Sequence, residues 1–111
     1  MAKFLLSYRM PKVTLEERLA QLGPSAGAAA AARMSSWMES LGVNLLDPGK
    51  RVTDARALGT CGSETRPGGY SLITADNLEA ATALAEGCPG LEMGGGIEVG
   101  VIAERPVAAA H

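Results

Sequence analysis

The chain has 111 residues, of which 47% are hydrophobic and 20% charged, and its net charge at pH 7 is −2. This composition is typical of one globular domain and does not favour nucleic acid or an anionic membrane as a partner. The apolar run Phe4–Leu6 is too short for a signal peptide or a membrane span, so we expect a cytoplasmic protein. We place a single domain at residues 1–103 and a loosely held tail at residues 104–111.

The chain begins with a predicted strand at Lys3–Tyr8, which Pro11 ends. Thr14 and Glu17 then have the spacing of a capping box, which predicts a short helix as far as a Gly-Pro stop. Along the strand, alternation places on one face Phe4, Leu6 and Tyr8.

The longest predicted helix runs from Ser25 to Leu41, where Gly42 is a suitable residue to end it. Its many alanines favour helix and allow another element to approach closely. One stripe of this helix is apolar, and we expect the stripe to pack against a sheet. The stripe consists of Ala30, Met34, Trp37, Met38 and Leu41.

The middle of the chain predicts a short strand, a turn and a second strand. Val43–Leu46 is apolar, and Asp47-Pro48-Gly49 after it is typical of a tight turn, because proline presets φ and glycine accepts positive φ. Charged and apolar residues alternate over Val52–Ala57, which predicts a half-exposed strand before a glycine-rich connection.

The second half of the chain predicts a strand, a helix and another strand. Tyr70–Thr74 is rich in β-branched and aromatic residues, and Asp76 lies three residues before Glu79, which is the spacing of a capping box. The helix should end at Gly87, ahead of a final strand at Ile97–Ile102. Two strands joined through a helix are expected to lie parallel in one sheet.

These elements occur in the order of an α+β, ferredoxin-like βαββαβ sandwich, in which both main helices cover one face of an antiparallel sheet. The other face keeps several apolar side chains, and such a patch usually means association or a ligand groove. We therefore predict a homodimer joined through its sheets. The sequence leaves open whether Tyr70 or Ser71, and Ile97 or Glu98, points toward the helices.

The two cysteines, Cys61 and Cys88, have no CxxC spacing and no neighbouring histidine, so they predict neither a metal site nor a redox site. A disulfide between them is disfavoured in a reducing compartment. We expect Cys88 to be a small buried side chain and Cys61 to be the more exposed thiol.

Several motifs form a recognisable set along the chain: FLLSY, WMESLGVNLLDPG, GGYSLITADNLEAATALAEGCP and GGGIEV. Together they span about Phe4 to Val101 and resemble the YCII-related family, which is also named for a DGPF motif. The resemblance implies a dimeric α/β barrel built on a ferredoxin-like fold. It also implies a cleft between sheet and helices that is often supposed to be catalytic.

The chain departs from that family where chemistry would be expected. Cys61-Gly62-Ser63 stands where the Asp-Gly-Pro-Phe motif would fall, and Gly100-Val101 stands where many relatives have Arg-Pro. No residue matches the histidine of the His-Asp pair proposed in some members. The chain's one histidine is His111, and nothing in the sequence holds it against a substrate.

Two carboxylates are therefore the candidates for catalysis. Glu98 lies between Ile97 and Val99. Burial of its face would make the carboxylate take up a proton more readily, and this would suit Glu98 to act as a general base. We favour the alternative that Glu98 pairs with an arginine such as Arg9 or lines a wet interface. Asp47 ends a strand where the resemblance implies a functional acid, but Asp before Pro-Gly is also ordinary turn chemistry, which we favour.

The candidate ligand-binding residues are Tyr8, Ser7, Tyr70 and Trp37, although we favour core packing over ligand stacking for the tryptophan. The run of glycines at 94–96 leads into a strand rather than a helix, so it does not predict a phosphate loop. No metal or nucleotide motif is present, and we predict no cofactor and no bound metal.

Two hypotheses for function follow. In the first, the protein is a non-catalytic dimeric domain that binds a small molecule or a partner segment, and the altered hairpin and missing histidine favour this one. In the second, it is a small-molecule isomerase or lyase in which Glu98 or Asp47 moves a proton. The second hypothesis depends mostly on analogy between folds.

Overall fold

The computed structural model describes residues 1–12, 17, 20, 23–62 and 64–103. Most of the short helix predicted after Thr14, and the whole of the tail predicted at residues 104–111, fall outside this part of the chain. None of the described helices is long and apolar enough to cross a membrane.

The described chain has an α+β fold with one antiparallel sheet and two α-helices. The strands follow the order β2-β3-β1-β4 in the sheet, and β3 and β4, both antiparallel to β1 between them, run parallel to each other as predicted. This architecture is compatible with the predicted ferredoxin-like fold. In chain order the elements are β1 (Ala2–Pro11), α1 (Pro24–Leu41), β2 (Leu45–Asp47), β3 (Thr65–Ala75), α2 (Leu78–Ala85) and β4 (Gly96–Val101).

The pairing of the central strand decides which side chains face the helices. In β1, Phe4 and Leu6 are buried, whereas Leu5 between them is 36% exposed. In β3, Ser71 is fully buried, and its neighbour Tyr70 is exposed. The sheet face that carries Leu5 and Tyr70 points away from the helices, and we call it the open face.

Both helices bury their apolar side against the opposite face of the sheet. Trp37 joins them, because its indole N–H donates a hydrogen bond of 3.3 Å to the Leu84 carbonyl in α2. The lower part of the stripe predicted for the long helix is confirmed, with Trp37 and Leu41 buried and Met34 and Met38 packed against the core, whereas Ala30 lines the cleft described below. The buried core consists of Phe4, Leu6, Trp37, Leu41, Ile73, Ala75, Ala81, Ala85 and Cys88.

Several element ends differ from the predictions. The first and third strands are longer than predicted, since β1 runs on to Pro11 and β3 already starts at Thr65. Asn77, not Asp76, caps α2, because the Asn77 side chain accepts a 2.8 Å hydrogen bond from the Ala80 N–H. The second strand starts at Leu45 rather than Val43, because Gly42–Asn44 forms a turn of 3-10 helix after α1.

The strand predicted at Val52–Ala57 is also wrong. Arg51 forms an isolated bridge with Gly69, and the Val52 N–H donates a 3.1 Å hydrogen bond to the Gly68 carbonyl. After this point the chain leaves the edge of the sheet, and residues 53–60 are exposed and irregular. The alternation was real, but a strand needs a neighbour for its ladder of hydrogen bonds.

Candidate functional site

A cleft of about 580 Å³ lies between α1 and the end of the sheet where β1 finishes and β3 and β4 begin. Ala30, Met34 and Met38 form an apolar wall on the α1 side, and Tyr8 lines the cleft from the covered face of the sheet. Tyr70, which the strand register places on the open face, borders the cleft at the edge of the sheet, where its N–H donates a hydrogen bond to the Lys50 carbonyl. The remaining wall is the segment at residues 48–53, which we call the cleft loop.

The cleft loop is held against the edge of β3 by its backbone. Gly49 adopts φ +74°, and its N–H donates a 2.8 Å hydrogen bond to Oδ1 of Asp47. The next carbonyl, that of Lys50, accepts a 3.2 Å hydrogen bond from the Tyr70 N–H. The Asp-Pro-Gly sequence therefore makes the predicted turn, and this turn brings the following basic residues to the cleft.

A chain of hydrogen bonds runs from Tyr8, which lines the cleft, through the buried Ser71 to Pro48 on the cleft loop. The Tyr8 hydroxyl donates a 2.7 Å hydrogen bond to Ser71 Oγ, which donates a 2.8 Å hydrogen bond to the Pro48 carbonyl. The Tyr8 ring is fixed edge-on against Trp37, with ring centroids 6.3 Å apart and an interplanar angle of 81°. A tyrosine phenol is protonated at neutral pH in any case, and burial raises the pKa of Tyr8 further.

Every charged side chain that lines the cleft in the described part of the protein is basic. This is notable in a chain with 12 acidic and 10 basic residues. Arg9 donates hydrogen bonds of 3.2 and 3.1 Å to the side chain and carbonyl of Thr65, which anchors its guanidinium to β3. The basic residues that line the cleft are Arg9, Lys50, Arg51 and Arg66.

Three predicted site residues form a row across the open face. Ser7 on β1 lies opposite Tyr70 on one side and Glu98 on the other. Glu98 is exposed in the single chain, so the burial on which its role as a general base depends is absent there. Arg9, its suggested partner, instead binds Thr65.

The cleft includes only part of the predicted site. Tyr8 and Tyr70 line it, whereas Ser7, Trp37 and both candidate carboxylates do not. Trp37 is buried in the core, and Asp47 is an exposed residue that stabilises the turn. Sequence reasoning assigned no site role to Lys50, Arg51 or Arg66, because no local pattern links residues that the chain path brings together only in the fold.

The prediction for the two cysteines is confirmed. Both thiols are free, with Cys61 exposed and Cys88 buried. Cys88 borders the cleft, its sulfur lies 3.9 Å from that of Met34, and burial raises the pKa of its thiol. Raising the pKa lowers the thiolate fraction, so Cys88 suits an inert wall of the cleft.

Within the described residues, no group of three His, Cys, Asp or Glu side chains is placed to hold a metal ion. No model of a known protein family matches the chain, and no curated protein matches it either. The resemblance to the YCII-related family stays a prediction from the motifs quoted above.

Proposed function

We propose that this protein is a non-catalytic, dimeric, small-molecule-binding domain of the YCII-related type, and that its ligand is an organic anion bound in the cleft. The observation that supports the proposal is that, among the residues the structure describes, all the charged side chains that line the cleft are basic. The volume of about 580 Å³ falls within the range of roughly 300–1,000 Å³ that is usual for small-molecule sites.

The cleft offers different surfaces to the two parts of such a ligand. Lys50 and Arg51, exposed on the cleft loop, create a positive potential that attracts a carboxylate, sulfonate or phosphate group. The wall formed by Ala30, Met34 and Met38 suits a hydrocarbon chain or ring, whose burial there removes apolar surface from water. An amphipathic anion uses both surfaces.

The alternative function, an isomerase or lyase, requires a carboxylate beside the substrate. Neither Glu98 nor Asp47 lines the cleft, and Asp47 is engaged by the Gly49 N–H. Proton transfer by Glu98 would therefore need a second copy of the chain to cover the open face. The position of these two carboxylates favours binding over catalysis.

The proposal is tested by calorimetric titration with naphthoate. We expect the double variant Lys50→Glu/Arg51→Glu to bind naphthoate about tenfold more weakly than the wild type, because reversing two exposed charges replaces attraction by repulsion. Added salt should reduce the difference by screening these charges. Neutral naphthamide should bind both proteins equally.

The matched control is Lys12→Glu/Arg56→Glu, which changes the net charge equally at exposed residues outside the cleft lining. It should bind naphthoate nearly as well as the wild type. If both double variants lose the same affinity, the effect is one of net charge, and the cleft is not the binding site. Failure of the wild type to prefer naphthoate over naphthamide would also contradict the proposal.

The dimer is proposed to form through the open face. Leu5 is 36% and Tyr70 is 38% exposed, and Leu5 pairs across the sheet with Leu72. Such an apolar patch on an uncovered sheet is typical of an association surface. We expect sedimentation velocity to show a dimer at micromolar concentration and Leu5→Glu to shift it to monomer.

Val43→Glu is the control for the dimer, because Val43 is 90% exposed and lies outside the sheet. This variant should sediment like the wild type. A wild-type protein that is monomeric at micromolar concentration would refute the dimer, and it would leave the anion site of the single chain in place.

A further inference from the structure

The direction of the hydrogen bonds at the cleft wall can be assigned from the number of protons available. Ser71 has one hydroxyl proton, and its Oγ lies 2.8 Å from the Pro48 carbonyl and 2.7 Å from the Tyr8 hydroxyl. A carbonyl oxygen only accepts hydrogen bonds, so Ser71 donates its hydroxyl proton to the Pro48 carbonyl. The proton between Ser71 and Tyr8 must then come from Tyr8.

This assignment leaves the Tyr8 oxygen able to accept a hydrogen bond but without a proton to donate. Ser71 is fully buried and cannot turn to solvent for another partner. The edge-on contact with Trp37 restrains the Tyr8 ring. The phenol is protonated at neutral pH in any case, and burial raises the pKa of Tyr8 further, so this acceptor does not become an anion.

We propose that the cleft selects organic anions that also carry a hydroxyl or N–H donor, which hydrogen-bonds to the Tyr8 oxygen. This inference rests on the proposed binding of an anion in the same cleft, and it narrows the ligand class to hydroxylated or aminated organic acids. A ligand carbonyl or ether at this point would face the Tyr8 oxygen with no proton between the two acceptors. Such an unpaired contact is disfavoured in a partly buried site.

The inference is tested by comparing isomers of hydroxynaphthoate with the matching methoxynaphthoates, since a methoxy oxygen accepts but does not donate. For at least one isomer we expect wild-type protein to bind the hydroxy compound about fivefold more tightly, which corresponds to the roughly 1 kcal/mol that one hydrogen bond usually contributes. In Tyr8→Phe the ratio should fall to about one, because the acceptor is gone. The readout is the ratio of the two affinities rather than either affinity alone, because Tyr8→Phe also removes the hydrogen bond from Tyr8 to Ser71.

Ser71→Ala separates this role from a merely structural one. The variant keeps Tyr8 but removes its acceptor, so the phenol regains a proton that it can donate into the cleft. The preference for the hydroxy compound should therefore shrink or reverse in favour of the methoxy compound. If Ser71 had only a structural role, its loss would lower the affinity for both compounds by the same factor and leave the ratio of the two affinities unchanged.

The possible failures are distinguishable. If the wild type binds naphthoate but no hydroxy isomer better than its methoxy counterpart, the role of Tyr8 is refuted and the anion site stands. If Ser71→Ala keeps the wild-type ratio, the assigned direction of the hydrogen bonds is refuted. If no naphthoate binds at all, the proposed function fails, and this inference fails with it.

Discussion

Leu6→Ala is expected to lower the free energy of unfolding by about 3 kcal/mol, because it removes a fully buried side chain and leaves a cavity. Leu6 lies in β1, which has strands on both sides, so its surroundings have little freedom to collapse into the space. A domain of this size has a total stability of roughly 5–15 kcal/mol. The loss should therefore be obvious as a lower midpoint in urea denaturation.

Leu5→Ala is the matched control, since it makes the same chemical change in the adjacent residue of the same strand. Leu5 is 36% exposed on the open face, and we expect its replacement to cost less than about 1 kcal/mol. Both variants should be measured in the same oligomeric state, so that loss of a dimer is not counted as loss of folding stability. Equal losses in the two variants would contradict the assignment of the faces of β1.

Gly49→Ala is expected to destabilise the protein by about 2–3 kcal/mol and to weaken the binding of naphthoate. A Cβ at this position would lie 1.7 Å from the Tyr70 carbonyl oxygen, and the φ of +74° is unfavourable for alanine. The cleft loop must then move away from β3, which breaks the hydrogen bond between Tyr70 and Lys50. Urea denaturation and calorimetric titration measure the two effects.

Gly59→Ala is the control that isolates the clash. Gly59 has a similar φ of +67°, but a Cβ there would meet nothing within 4 Å. It should cost about 1 kcal/mol or less and leave naphthoate binding unchanged, because only the backbone strain is shared with Gly49. If the two alanine variants behave alike, the close approach of the cleft loop to β3 is not a determinant of stability.

Local patterns were sufficient for most of the fold. Alternation in β1 correctly separated Phe4 and Leu6 from Leu5, because successive side chains of a strand point to opposite faces. The spacing of Trp37 and Leu41 correctly identified the buried side of α1. Helix, turn and strand signals of this kind depend on residues that are close together in the sequence, so the sequence alone is enough to predict them.

Local patterns failed where two solutions were equally compatible with the residues. Asp76 and Asn77 are both good capping residues, and in the structure the side chain of Asn77 caps α2. Val52–Ala57 has the alternation of a strand, but the backbone hydrogen bonds between this segment and β3 continue only as far as Val52. Pairing partners are distant in sequence, so the pattern alone does not reveal them.

The sequence by itself determined the order of the two helices and of the four strands of the sheet, the buried side of α1 and two residues of the cleft, Tyr8 and Tyr70. The tertiary structure decided which sheet face is covered and excluded Glu98 and Asp47 from the cleft. It also brought Arg9 on β1, the basic residues of the cleft loop and Arg66 on β3 around one space. Their meeting depends on strand register and on the path of the chain after Gly49, and these are set by contacts between residues far apart in sequence.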